Sequence, residues 1–247
     1  MKKVLVYIAT RRQKSNTVLF AKKITEALKM AEELKVKIFT PTSLNILPCL
    51  GCNTCFYKGK CPQKDDLAYL VQEMESSDLL ILGSPVYLHD VTGDFTILAN
   101  RLAYWSHLLK LKGKNVLAVS TCSGNGHLSV VKEVNKIFTF LGANVFLVAN
   151  AAEDYPDQLN NEEWMQKTCQ EIVQKTVKIW ERPHSNKRLE QQFKGYKNIM
   201  MARVENGENS FEGNYWLKEK MLDYETFANY LQNEVINKIN KEGVDRV

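Results

Sequence analysis

Five short apolar segments alternate along the chain with longer segments in which apolar residues recur every three or four positions. The longer segments, such as SNTVLFAKKITEALKMAEEL, have the spacing of a helix with one buried face, and Ser15 or Asn16 stands where a helix cap is expected. The apolar runs are typical of strands buried on both faces of a sheet. They are KVLVYIA (3–9), VKIFT (36–40), DLLILGSP (78–85), NVLAVST (115–121) and NVFLVAN (144–150).

The strict alternation of strand and helix predicts an α/β fold with a parallel sheet and helices on both faces. Five strands fit the doubly wound order 2-1-3-4-5, in which ligands bind beyond the carboxyl ends of the strands. The composition becomes polar after Trp180, so we place a domain boundary at residue 182. Residues 183–247 contain weak helical segments without an obvious core. We therefore expect a helical C-terminal extension that packs on the main domain or on a partner subunit.

The overall composition is that of a globular protein with 247 residues, 45% of them hydrophobic, and a net charge of +5. No apolar run approaches the ~20 residues that a membrane-spanning helix needs, so we expect no membrane partner. The N-terminal apolar run ends at Arg11 and Arg12 without a cleavage site, which favours a cytoplasmic protein. The lysines are scattered rather than clustered, and we therefore expect no nucleic-acid partner.

Polar or glycine-containing loops follow predicted strands one, three and four. The first, ATRRQKSNT, lacks the glycines of a P-loop but brings Arg11 and several hydroxyls to a helix start, where backbone N–H groups favour a phosphate. The second, GSPVYLHD, contains Pro85 and the flat ring of Tyr87, and the third, STCSGNGH, contains Gly124 and Gly126, which allow close approach of a planar ligand. Each loop alone is equally consistent with an ordinary cap or turn. Their shared position predicts a mononucleotide site.

Four of the six cysteines lie within CLGCNTCFYKGKC, with the spacing C-x2-C-x2-C-x5-C followed by Pro62. Such short intervals allow Cys49, Cys52, Cys55 and Cys61 to converge on one [4Fe–4S] cluster, much as in bacterial ferredoxins. Zinc is an alternative, although structural zinc sites usually use two separated cysteine pairs. Thiols without metal, as a redox pair or as structural residues, are a further alternative.

The same segments resemble the NADPH-dependent FMN reductase branch of the flavodoxin-like superfamily. SNT at the first helix, GSPVY at the end of the third strand and the glycine loop after the fourth carry this resemblance, and CLGCNTCFYKGKCPQKDDL is similar to the iron–sulfur flavoproteins of that branch. The first loop departs from the family, whose members often have glycine or serine-proline there. The resemblance implies a flavodoxin-like FMN-binding domain over residues 1–182 with a cysteine-rich loop at 49–62.

The resemblance also implies how FMN is bound. Its phosphate would be held by one set of side chains at the first loop, its ring by the second loop and the other edge of the ring by the third loop. These residues are Arg11, Ser15, Asn16 and Thr17 at the phosphate, Pro85, Val86 and Tyr87 along the ring, and Ser123, Gly124, Asn125 and Gly126 at the other edge.

The implied function is an FMN-dependent NAD(P)H oxidoreductase that passes electrons to a quinone, a flavin, another small acceptor or a protein, with a [4Fe–4S] cluster on the four cysteines. Hydride transfer to a flavin needs no acid or base, so we assign no catalytic residue. An electron carrier without its own small-molecule substrate and a cysteine-based redox sensor are alternatives. We expect a homodimer or tetramer, because a cluster near the sheet edge would lie beside the first loop or next to the flavin of a neighbouring subunit.

Overall fold

A five-stranded parallel sheet with the order β2-β1-β3-β4-β5 forms the centre of the molecule, a computed structural model that describes residues 1–180 and 184–234. The predicted doubly wound α/β fold and its strand order are therefore confirmed. The winding reverses between β1 and β3, which places the predicted ligand edge at the carboxyl ends of the central strands. The strands are β1 (Lys2–Ile8), β2 (Leu34–Phe39), β3 (Leu79–Pro85), β4 (Asn115–Cys122) and β5 (Asn144–Ala152).

Helices cover both faces of this sheet, because residues on each buried strand alternate between two apolar cores. The helices α1 and α7 cover one face, and α3, α4, α5 and α6 cover the other. The helices of the main domain are α1 (Asn16–Ala31), α2 (Thr54–Lys58), α3 (Leu67–Ser76), α4 (Gly93–Arg101), α5 (Trp105–Leu108), α6 (His127–Phe140) and α7 (Glu162–Trp180).

The apolar pattern of FTILANRLAYWSHLL (95–109) predicts one helix, but the structure has two helices over this segment. The first, α4, ends at Arg101, and a turn through residues 102–104 leads into the short α5. This turn redirects the chain so that both Trp105 and Leu108 are buried in the core. Leu109 follows with a positive φ of 45°, which ends α5. Burial of large side chains has therefore overridden the continuous helical pattern.

The C-terminal segment continues with α8 (Lys187–Glu205), α9 (Phe211–Lys218) and a further helical stretch at 227–234. These elements enclose an aromatic cluster in which the Phe193 ring lies 5.4 Å from Trp216 and 5.3 Å from Phe227. The expectation that this segment lacks a core is therefore wrong. Residue 182 lies outside the described residues, as do residues 235–247, and the division of the chain at 182 stays a prediction. None of the helices in the described part of the chain has an apolar stretch long enough to cross a bilayer.

The C-terminal segment is attached to the main domain around His107 of α5. Trp216 Nε1 donates a hydrogen bond of 2.7 Å to the carbonyl oxygen of His107, and Glu212 Oε1 lies 2.7 Å from His107 Nδ1. Arg203 also pairs with the buried carboxylate of Glu212. Burial raises the pKa of Glu212, but His107 and Arg203 outweigh burial and lower it on balance. A buried charged contact thus joins α8 and α9 to the main domain.

We expect Glu212→Gln to lower the free energy of unfolding at about pH 7 by about 1–3 kcal/mol, because the variant removes the buried carboxylate that Arg203 and His107 contact. The folded-state pKa of Glu212 lies below the unfolded value of about 4.3. The carboxylate therefore stabilises the fold above that pH, and this contribution disappears as the pH falls through the folded-state pKa. Denaturant unfolding of both proteins at about pH 7 and about pH 3 measures the effect.

The matched control is Glu208→Gln, which removes an exposed carboxylate 3.9 Å from Arg203 Nε. An exposed ion pair contributes at most about 1 kcal/mol, so this control should stay close to the wild type. A stability gap between wild type and Glu212→Gln that stays constant down to about pH 3 would contradict the assignment.

Candidate functional site

The first loop ends in a helix start whose hydroxyl groups are buried. Ser15 is the N-cap of α1, and its Oγ accepts a hydrogen bond of 3.4 Å from the N–H of Val18. Thr17 Oγ1 lies 2.6 Å from Thr121 Oγ1 at the end of β4. The first turn of α1 is thereby connected to the third loop. Backbone N–H groups at such a helix start suit an anion.

Thr92 joins the first loop to the end of β3, a role that the sequence analysis missed. Its Oγ1 donates a 2.7 Å hydrogen bond to the carbonyl oxygen of Ala9, and its N–H donates a 3.0 Å hydrogen bond to Ser84 Oγ. Thr92 is also the N-cap of α4. In the sequence the residue has only the signature of an ordinary helix cap, so nothing local indicates its contact with residue 9.

Arg11 is paired with a carboxylate that the sequence analysis also missed. Its Nη2 lies 2.9 Å from Asp94 Oδ1, and its Nε lies 3.0 Å from Asp94 Oδ2, so the contact is bidentate. The hydrogen bond and the charge of Asp94 raise the pKa of Arg11. The guanidinium is largely exposed at the rim of the first loop, and it therefore brings a positive charge to this edge of the sheet.

The second loop is a tight turn with a strained backbone. Tyr87 and Asp90 exchange two backbone hydrogen bonds of 3.0 Å, and both residues between them, Leu88 and His89, have positive φ angles of 49° and 60°. Positive φ at both central positions is the signature of a type I′ turn, which normally uses asparagine and glycine. Leu88 at the tip is 97% exposed. The turn therefore keeps a strained, solvent-exposed leucine beside Tyr87.

The third loop packs directly on the second. Gly126 has φ +83°, and a Cβ at this position would lie 2.6 Å from Val86 Cγ1, so only glycine fits. Val86 N–H donates a hydrogen bond of 2.9 Å to the carbonyl oxygen of Thr121. Ser123, Gly124 and Asn125 are exposed. The three predicted loops thus meet at one edge of the sheet, with Asn16 and Pro85 half-buried at their bases.

A row of polar side chains crosses the sheet below these loops. Ser84, Ser120 and Asn150 are register partners on β3, β4 and β5, so their side chains project from the same face. Ser120 Oγ and Asn150 Oδ1 are buried and have no hydrogen-bond partner among residues 1–180 and 184–234. Such atoms are rare in folded proteins and indicate polar groups available to a ligand or water. The sequence analysis did not single them out, because each is a single polar residue within an apolar strand.

The four clustered cysteines line one cavity of about 360 Å³. This is roughly ten times the ~30 Å³ that a water molecule occupies in the liquid. Cys49 and Cys52 are exposed, whereas Cys55 and Cys61 are half-buried. Burial is the main cause of a raised pKa at Cys55, and the charges of the other three thiols raise it further. The loop therefore brings all four cysteines to the wall of one cavity.

The base of the cysteine loop is closed by two adjacent carboxylates. Asp66 accepts a 2.7 Å hydrogen bond from the N–H of Asn45, and Asp65 accepts bonds of 2.9 Å and 3.1 Å from the N–H groups of Leu47 and Leu67. The sequence DDLAYLVQEMESS predicts that both acids lie in the first turn of a helix, but this prediction is wrong, since α3 begins at Leu67. These side chains instead satisfy loop N–H groups, so the chain segments on either side of the cysteines lie side by side.

Arg101, the last residue of α4, also lines the cysteine cavity. Its side chain and that of its partner Asp65 are each only 1% exposed. Arg101 Nη1 also donates to the carbonyl oxygen of Leu47. No residue of the first loop lines the cavity, although the sequence analysis places a cluster beside that loop or beside a neighbouring flavin. The cavity lies instead at the opposite end of α4 from Thr92.

The C-terminal segment packs against the cysteine loop. Gly59, with φ +68°, lies so close to the Phe211 ring of α9 that a Cβ there would be 2.0 Å from Cζ. The Phe56 ring of α2 lies 5.4 Å from the ring of His107, and the Tyr196 ring of α8 lies 5.2 Å from His107. The loop is therefore supported on one side by α4 and on another by the C-terminal helices.

The sequence pattern of the NADPH-dependent FMN reductase family matches residues 2–155. An iron-sulfur flavoprotein of Methanocaldococcus jannaschii is 29% identical over 139 residues, which make up 55% of this chain and 71% of that protein. Another, from Archaeoglobus fulgidus, is 36% identical over 108 residues, which make up 43% of this chain and 49% of that protein. The chain thus spans about half the length of this second relative.

Two solved structures share the fold. The crystal structure of RosB with a bound 8-demethyl-8-formylriboflavin-5'-phosphate intermediate has a TM-score of 0.61 at 13% identity, over 85% of this chain and 90% of that one. The apo form of an NADH:FMN oxidoreductase has a TM-score of 0.54 at 15% identity, over 70% of this chain and 87% of that one. At such low identity these similarities establish the fold alone.

The strain in the second loop gives a testable prediction. A residue other than glycine, asparagine or aspartate in the left-handed region costs about 1–2 kcal/mol. We therefore expect Leu88→Asn to raise the free energy of unfolding of the flavin-free protein by about 1 kcal/mol. Thermal and denaturant unfolding measure this change.

Leu128→Asn is the matched control, because Leu128 is also strongly exposed but lies in the regular helix α6. There asparagine has a lower helix propensity than leucine, and we expect no gain in stability. An equal effect of both substitutions, or a loss of stability in Leu88→Asn, would show that the turn is not strained.

Proposed function

Because the chain belongs to the NADPH-dependent FMN reductase family, we propose that it is an FMN-dependent oxidoreductase that takes electrons from NAD(P)H. The acceptor is a quinone, a flavin, another small molecule or a protein. The observation that carries the proposal is the joining of three loops at the carboxyl edge of the sheet, through Thr92, Thr121 and the contact of Gly126 with Val86. Mononucleotides bind at this edge in doubly wound sheets.

The residues at this edge fit an FMN. The start of α1 offers backbone N–H groups to a phosphate, with Asn16 and Arg11 beside them. The buried hydroxyls of Ser15 and Thr17 hold this helix start in place through Val18 and Thr121. The second loop would hold the ring through Pro85, Val86 and Tyr87, of which Tyr87 is about half exposed. Bound FMN supplies hydride and single-electron chemistry, while the protein binds and orients it.

The third loop would enclose the other edge of the ring. Ser123, Gly124, Asn125 and Gly126 have exposed or half-exposed backbones, and Gly126 allows the loop to lie directly on the second loop. Ser120 Oγ and Asn150 Oδ1, which are buried and have no partner among residues 1–180 and 184–234, provide further polar groups near the strand ends. This supply of unsatisfied polar atoms at one edge supports a polar, aromatic ligand over an apolar one.

We further propose that Cys49, Cys52, Cys55 and Cys61 hold a [4Fe–4S] cluster, which supplies single-electron chemistry. Support comes from the lining of one cavity by all four thiols and from the buried cation of Arg101 beside them. Within residues 1–180 and 184–234, no three His, Cys, Asp or Glu side chains are grouped as they are around one metal ion. The short C-x2-C-x2-C-x5-C spacing also suits a cluster better than a structural zinc ion, which usually takes two separated cysteine pairs.

The flavin proposal predicts that the purified protein binds FMN and then oxidises NADPH or NADH in the presence of a quinone. Thr17→Val should weaken FMN binding about 2- to 10-fold, because it removes the hydrogen bond to Thr121 that joins the start of α1 to the third loop, and such a bond contributes about 0.5–1.5 kcal/mol. Quenching of FMN fluorescence on titration measures the dissociation constant, and loss of NAD(P)H absorbance measures the rate.

Thr25→Val is the control for this substitution. Thr25 lies on the same helix, and its hydroxyl donates to the carbonyl oxygen of Lys22, away from the loops. We expect it to leave FMN affinity unchanged. Failure of the wild type to bind FMN would refute the proposal, and FMN binding without NAD(P)H oxidation would favour an electron carrier.

The cluster proposal predicts about four iron atoms per chain after anaerobic purification. Cys61→Ser should lose most of this iron while still binding FMN, because it removes one of four ligands but none of the loop contacts at the flavin edge. Cys169→Ser is the control, since Cys169 is buried in α7 on the other face of the sheet. Iron and sulfide assays with an absorption spectrum decide the result. A wild type that contains zinc, or no metal, would overturn this part of the proposal.

A further inference from the structure

Arg101 is a buried cation, and one of its three guanidinium nitrogens has no hydrogen-bond partner among the described residues. Its Nη1 donates to Asp65 Oδ2 and to the carbonyl oxygen of Leu47, and its Nη2 donates to Asp65 Oδ1 at 3.1 Å. Its Nε is buried and has no hydrogen-bond partner among the described residues. A buried donor without a partner is rare and costs stability, so it calls for an explanation in the function of the protein.

The position of Arg101 connects this donor with the cysteines. The residue lines the same cavity as the four thiols, and apart from them it is the one ionisable side chain among the described residues that line it. Cys61 and Arg101 are both among the residues that line this cavity, so the guanidinium and this thiol lie at the same space.

We propose that Arg101 is a positioning residue of the cysteine site: its Nε–H donates a hydrogen bond to a sulfur of the occupied site and thereby raises the reduction potential of the bound iron–sulfur group. This inference rests on the cluster proposed above. Hydrogen bonds to sulfur and local charge are among the factors that set such potentials. In the proposed function, a hydride from NAD(P)H would deliver two electrons to FMN, which would pass them one at a time to the iron–sulfur group. A fixed hydrogen-bond donor favours the more negative, reduced state of that group.

The geometry explains why arginine occupies this position. The two Nη atoms are engaged by Asp65 and Leu47, which hold the plane of the guanidinium fixed. Nε is then the atom left to face a third partner. Lysine carries its donors on a single nitrogen and cannot serve a bidentate carboxylate and a separate sulfur in the same way. The same side chain would thus close the base of the loop and contact the bound group.

The experiment compares three variants with the wild type, each reconstituted with iron and sulfide under anaerobic conditions. Arg101→Lys keeps the positive charge but replaces the planar guanidinium, with N–H donors on three nitrogens, by a single ammonium group. The double variant Arg101→Met with Asp65→Asn removes one positive and one negative charge together, so the net charge of the buried pair is unchanged. Lys37→Met, which removes the ion pair with Glu73 at another part of the surface, is the control.

The readouts are the iron content per chain, the rate of iron loss to a chelator and the midpoint potential from a spectroelectrochemical titration. We expect the control to match the wild type. Arg101→Lys should have a more negative midpoint and lose iron several-fold faster, and the double variant should shift further in the same direction. A purely structural role would speed iron loss without moving the midpoint.

Two negative outcomes are distinguishable. If the wild type takes up no iron, the proposed cluster fails and this inference fails with it. If the wild type takes up iron and both Arg101 variants keep its midpoint potential, the cluster stands and the role of Arg101 is overturned. Circular dichroism and FMN binding report folding, and Arg101→Lys decides the result alone if the double variant does not fold.

Discussion

Helix α4 is held at both ends by buried side chains, and both candidate sites depend on this arrangement. At its start, Thr92 bonds to the carbonyl oxygen of Ala9 and to Ser84, which joins the loops after β1 and β3. At its end, Arg101 bonds to Asp65 and Leu47, which closes the cysteine loop. A helix of nine residues spans about 13 Å and is stiff on that scale. The carboxyl edge of the sheet and the cysteine cavity are therefore kept in a defined relation within one chain.

The C-terminal segment gives the cysteine loop a second support. Phe211 fits against Gly59, and His107 lies between the rings of Phe56 and Tyr196. The buried carboxylate of Glu212 stabilises this contact by pairing with His107 and Arg203. The match to the FMN reductase family ends at residue 155, so this support comes from a part of the chain outside the shared region. The C-terminal helices thus add rigidity to the cysteine loop. It is this loop that distinguishes the chain from a flavin-binding domain without cysteines.

The two candidate sites present their polar groups on different parts of the fold. At the carboxyl edge of the sheet, backbone N–H groups, hydroxyls and glycines lie at the ends of strands and at the start of α1, where the topology leaves polar groups unsatisfied. At the cysteine cavity, a loop outside the sheet carries the four thiols, and a buried ion pair fixes its base. Disturbance of one site leaves the direct contacts of the other intact. This separation allows flavin binding and iron binding to be tested independently.

The sequence by itself determined the five strands, the three loops that follow them and the grouping of four cysteines, because each depends on local periodicity or short spacing. The strict alternation of strand and helix then predicted the strand order. Only the tertiary structure decided that Arg11 pairs with Asp94, 83 residues away, and that Arg101 pairs with Asp65, 36 residues away. It also decided that the helix predicted over 95–109 breaks after Arg101 and that the C-terminal helices enclose an aromatic core. Such contacts depend on which segments the fold brings together. No local pattern encodes them, because the same residues would serve equally well as a helix cap, a surface charge or a solvated arginine elsewhere.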